Sequence, residues 1–72
     1  MKYIIKIKAD NLGNFIEYYG GNDYIWVGEK YACYSHKKDN AKLYKSRKIA
    51  EKVANRIAEQ CVNVWSTNVE EL

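Results

Sequence analysis

Helical periodicity occupies one stretch of this 72-residue chain, "SRKIAEKVANRIAEQ", and that single amphipathic segment limits what the rest can become. Ile49, Val53 and Ile57 recur at i, i+4 and i+8, and Ala50, Ala54, Ala58 and Cys61 widen the stripe, the spacing that gathers apolar groups on one helical face. Ser46 precedes the stripe as an N-cap whose hydroxyl accepts a first-turn N–H. A helix over about 46–60 is therefore expected. One helix covers only one face of a sheet, so the remaining residues must form a one-sided layer.

The other segments alternate with period two, as half-buried strands do. "KYIIKIK" places Tyr3, Ile5 and Ile7 on one side and Ile4, Lys6 and Lys8 on the other. "ADNLGN" reads as a turn, and Phe15–Tyr19 as a second strand. "GGND", Gly20–Asp23, reads as another turn, because glycine accepts positive φ without steric cost. Tyr24–Val27 is then a third short strand, with Tyr31–Tyr34 a further candidate before a polar loop. Ala41–Tyr44 is an extended lead into the helix, and Val62–Val69 alternates as a closing strand. The fold class expected is α+β: one antiparallel-rich sheet of about 3–5 strands, one helix on one face, order β-β-β-α-β. Residues 1–72 form a single domain, without linker, repeat or low-complexity tract.

At this size the core is thin, with about 60% of the unfolded chain's surface buried on folding. Seven Tyr, two Trp and one Phe, with no Pro, give the composition of an ordered domain. Lys6 and Lys8 break the N-terminal apolar run before it reaches the length of a signal-peptide core or membrane span. Two cysteines, Cys33 and Cys61, are too few for a secreted disulfide scaffold. A cytoplasmic protein with no membrane association is expected.

Charge is distributed unevenly. Residues 30–56 carry nine cations against two carboxylates, whereas the flanking segments are net acidic. Within the helix, Lys48, Lys52 and Arg56 form a column of like charge at i, i+4, i+8, each adjacent pair costing about 0.2–0.5 kcal/mol. Arg47 with Glu51, and Arg56 with Glu59, offset part of that. Lys45, Arg47 and Lys48 also crowd the positive end of the helix dipole, the reverse of what stability prefers. An anion there, a nucleic-acid phosphate or a partner's carboxylates, makes use of this arrangement; a solvated lysine-rich face is the plain reading. These five cations, Lys45, Arg47, Lys48, Lys52 and Arg56, are the candidate partner- or phosphate-binding residues.

Tyr24, Trp26, Tyr31, Tyr34 and Trp65 are the candidate aromatic contacts, since such rings anchor protein interfaces and also stack on bases. With one sheet face open, some of Ile4, Lys6, Lys8, Ile16, Tyr18 and Trp65 are expected on it. Packing in a thin core, or in a homodimer, accounts for rings equally well. "CYSH", Cys33–His36, with Cys61 added, leaves zinc one ligand short, and a Cys–His nucleophile lacks an identifiable orienting group. No catalytic residue, metal or cofactor is assigned, and enzymatic function is not expected.

Asn40, Ala41, Tyr44, Ser46, Ala50 and Ala54 carry a pattern that resembles short proteins encoded by phages and mobile elements of Gram-positive bacteria. These have a strand hairpin, an Asn-Ala-x-x-aromatic-x-Ser/Thr segment, a helix with Ala every four residues, and a last strand. The resemblance covers most of the chain and is a fold signature that names no ligand. This sequence departs from it over "GGNDYIWVGEKYACYSHKK", a ring-rich stretch. The resemblance implies binding to a host protein or nucleoprotein complex, including counter-defence roles of the anti-CRISPR or anti-restriction kind. Direct nucleic-acid binding through the basic helix is the alternative.

Overall fold

The computed structural model describes residues 1–8 and 17–72. Its elements are β1 (Tyr3–Lys8), β2 (Glu17–Trp26), β3 (Glu29–Ser35), a 3-10 turn (Lys38–Asn40), α1 (Arg47–Gln60) and β4 (Ser66–Glu71). The four strands form one antiparallel sheet in the order β3-β2-β1-β4, with a single helix among the described elements. The expected α+β class and β-β-β-α-β order are thus observed. The expected turn over residues 9–14, and Phe15 and Ile16 of the expected second strand, lie outside the described residues.

Ser46 caps α1 as its side chain allows, its Oγ accepting the Ile49 N–H at 3.5 Å. The buried arc is Ala50, Ala54 and Ile57, continued by Cys61 and Val64 past the helix end. These pack on Ile5, Ile7, Tyr19 and Ala32, with Tyr3, Tyr44, Val53 and Val69 at the margin. Ile49 and Ala58 fall outside this arc, and Ile49 is 56% exposed. The helix is turned so that alanines meet the sheet, because small side chains allow close approach and Ile57 then fills the space between layers.

β1 is central. It pairs with β4 along its length, from Tyr3↔Glu71 to Lys8↔Ser66, but among the described residues it pairs with β2 only at Lys6↔Tyr18 and Ile7↔Glu17. Past Tyr19 the extended segment before α1 takes over. Lys42 donates its N–H to Tyr19 O at 2.9 Å, and Tyr44 exchanges two backbone bonds of 2.8 Å with Tyr3.

Three expectations are corrected. Gly20–Asp23 is not a turn: β2 runs through it, with a register shift between Tyr19 and Asp23 that marks a bulge. Gly21 has φ 94°, and a Cβ there would lie 3.1 Å from Lys42 Cδ, so conformation and space both call for glycine. The reversal comes instead at Val27-Gly28, with φ 52° and 79°, so Tyr24–Trp26 is the distal end of β2 rather than a separate strand, and Val27 belongs to the turn. Secondly, Val62–Trp65 forms a turn and the closing strand begins at Ser66. Thirdly, Ile4 is fully buried on the sheet face away from the helix. The connection from β3 to α1 reaches that face, where Lys38 Nζ lies 3.8 Å from Glu70, the residue directly across from Ile4.

Candidate interaction surface

The bulge sends the distal halves of β2 and β3 out as a two-stranded arm. Residues directly opposite in an antiparallel ladder share a face, so the pairs Tyr24↔Tyr31 and Trp26↔Glu29 put three rings and one carboxylate together. The Tyr24 and Tyr31 rings stack at 5.3 Å and 15°, and Trp26 tilts over Tyr31 at 6.3 Å and 58°. Tyr31 donates its hydroxyl to Glu29 Oε2 at 3.4 Å. Cross-strand ring contacts stiffen a ribbon that has little core beneath it. At the tip, Ile25, Trp26 and Val27 are all exposed, Trp26 by 66% and Val27 by 80%.

The arm is fastened at its base by residues that sequence reading did not single out. Tyr19 donates its hydroxyl to Asp23 Oδ1 at 2.8 Å, spanning the bulge, and Arg56 Nη2 lies 3.8 Å from Asp23 Oδ2. Burial first, and the bond to Asp23 second, push the Tyr19 phenol far above its ordinary value. From the turn after the helix, Val62 N–H donates to Lys30 O, while the Asn63 amide accepts the Ala32 N–H and donates to Ala32 O, each at 2.9 Å. The signal for Asn63 was an amide in an apolar run, misread as a strand position. Glu17, at the body end of β2, is buried with His36 Nδ1 2.9 Å from its Oε1, which gives His36 a partner within the fold.

The expected site residues divide. Tyr24, Trp26 and Tyr31 come together as one cluster. Tyr34 lies opposite Tyr19, three positions from Tyr31 and so on the other face. Trp65 is 61% exposed in the turn before β4, with no ring contact among the described residues. Among the cations, Arg56 turns to Asp23 rather than Glu59. Arg47 is held by Glu51 at 3.7 Å and by the Tyr3 ring, its guanidinium carbon 5.4 Å from the centroid. Lys45, Lys48 and Lys52 are exposed, and among the described residues none forms an ion pair. On the sheet face away from the helix, Lys6 is paired with Glu70 at 3.4 Å.

No described helix is long and apolar enough to cross a membrane. Among the described residues, no three His, Cys, Asp or Glu side chains gather as a metal site, and Cys33 and Cys61 are free thiols. Compared with known proteins, the chain matches no family model, no curated protein and no solved structure.

Proposed function

We propose that this chain is a non-enzymatic interaction protein of the phage type. It acts in the host cytoplasm by seating the aromatic arm on a host protein or nucleoprotein complex, thereby inhibiting or redirecting it. A counter-defence role, against CRISPR or restriction nucleases, belongs to the same reading through the resemblance described above. The observation that carries it is Val27. A β-branched residue at φ 52° is a backbone outlier, and at 80% exposure the side chain gains no burial that would offset the strain. Strain of this kind collects at binding sites, and beside Trp26 it presents a continuous apolar tip suited to an interface anchor.

The test is capture from nuclease-treated host lysate on immobilised chain, run beside Trp26→Ala and Val27→Asn. Capture that survives nuclease and is lost in both variants is expected. Capture unchanged by either substitution, or abolished by nuclease, overturns the reading.

Lys45, Lys48 and Lys52 favour one second reading, direct binding of nucleic acid along the helix. There, log affinity falls with log salt by about 0.9 per phosphate contacted on duplex DNA. Reversal of Lys48 and Lys52 then abolishes binding, while Trp26→Ala leaves it intact.

A further inference from the structure

The two edges of the sheet are treated differently. On β3 the outward C=O of Lys30 and both outward backbone groups of Ala32 are covered by Val62 and Asn63 of the same chain. On β4, Leu72 N–H donates to Lys2 O at 2.8 Å. In an antiparallel ladder the backbone groups alternate in direction, so Ser66, Asn68 and Glu70 face β1 while Thr67, Val69 and Glu71 face outward. Among the described residues nothing bonds to those outward groups. Nor does Ser66–Glu71 carry the lysine, proline or bulge that blunts free edges. Between this edge and α1 runs a groove of about 280 Å³, lined by Arg47, Glu51 and Asn55 of the helix with Thr67, Asn68 and Val69 of the strand.

We infer that the β4 edge is a homodimer interface, pairing antiparallel with β4 of a second copy about a two-fold axis at Val69. The strand is self-compatible in one direction only, and the charge pattern decides which. In this register Val69 meets Val69, Thr67 meets Glu71 and Asn68 meets Glu70, so no like charges stand directly opposite. A parallel arrangement instead stacks Glu70 on Glu70 and Glu71 on Glu71, which is destabilising. Val69 with Val69, and Thr67 with Glu71, are the pairs whose outward N–H and C=O groups exchange bonds. A two-fold contact of this kind is self-complementary and closes, leaving β3, with its covered edge, at both ends of an eight-stranded sheet. It also gives a 72-residue fold additional buried surface.

The test is sedimentation equilibrium of the full chain from micromolar to millimolar concentration, with amide exchange followed by NMR. A monomer–dimer equilibrium is expected, and exchange at Thr67, Val69 and Glu71 should slow as concentration rises. Chain made by synthesis with N-methyl-valine at position 69 keeps the side chain and removes the outward donor. It should weaken the dimer about tenfold or more, with the circular dichroism spectrum retained. Asn68→Glu sets a carboxylate opposite the second copy's Glu70 and should weaken it too, while Trp26→Ala should not. A monomer at every concentration, a dimer indifferent to N-methylation and to Asn68→Glu, or a dimer lost with Trp26→Ala overturns the inference; in the last case the contact belongs to the arm.

Discussion

The contact between Tyr19 and Asp23 joins two residues on either side of a bulge, and its consequences are local and measurable. Tyr19 is buried with its phenol on the Asp23 carboxylate, and Arg56 completes the set from the helix. Tyr19→Phe removes a hydrogen bond to a charged group and should cost about 1.5–3 kcal/mol in denaturant unfolding. Arg56→Ala, at a half-exposed pair, should cost less, about 0–1 kcal/mol. The two substitutions also separate in their pH dependence. Burial raises the Tyr19 and Tyr44 phenols above 10.0 and the Cys61 thiol above 9.0. The folded state therefore holds these protons more tightly than the unfolded chain does. Their contribution to stability is complete below pH 9 and is lost progressively as pH rises past 9 and 10 towards the folded-state values. Urea midpoints measured between pH 7 and 11 should fall across that alkaline window, and less steeply in Tyr19→Phe than in Arg56→Ala. Equal slopes would show that Tyr19 does not drive the loss.

At the scale of single elements, the helix and the arm both carry residues that stability alone does not favour. α1 has no acidic residue in its first turn and no basic residue in its last. Lys48→Glu should stabilise the fold by about 0.5–1 kcal/mol, from the dipole and from removing repulsion with Lys52, read as a rise in thermal midpoint. Val27→Asn replaces a β-branched residue at positive φ with one that tolerates that region. It should raise stability by about 1 kcal/mol while weakening capture by the arm. A fall in stability with Val27→Asn would mean that the side chain has a packing role of its own. The helix was legible because Ser46, the alanine spacing and Ile57 all agree. The arm was legible only in composition. "GGND" has the chemistry of a reversal, and a bulge needs positive φ at glycine just as a hairpin does, so Gly21 alone does not distinguish them. The true reversal, Val27-Gly28, has valine where asparagine usually signals the turn, so the local rule fails at the position proposed to serve binding. Ile49 was assigned to the core because it matches the period. Its place depends on the helix's rotation about its axis, which is set by packing against β1 and β4.

Over the whole molecule, the same unread contact, Asn63 on Ala32, decides how the arm is held. The arm leaves the sheet where β2 stops pairing with β1, so its direction relative to the body rests on the Tyr19–Asp23–Arg56 set at one strand and on Val62 and Asn63 at the other. Neither set hydrogen-bonds to the side chains of Tyr24, Trp26 or Tyr31. Asn63→Ala deletes two hydrogen bonds and leaves a half-covered backbone N–H and C=O on β3 without partners, a loss of about 1–3 kcal/mol. Because the lost bonds are confined to the arm's outer edge, the loss should be local. Amide exchange at Ala32 should accelerate, while Ile5, Ile7 and Ile57 keep the protection of the core. Capture by the arm should weaken although every contacting ring is intact, since a mobile arm must be ordered at the moment of binding. Exchange that accelerates equally throughout would instead make arm and body one cooperative unit, and the weaker capture would then report unfolding rather than lost preorganisation.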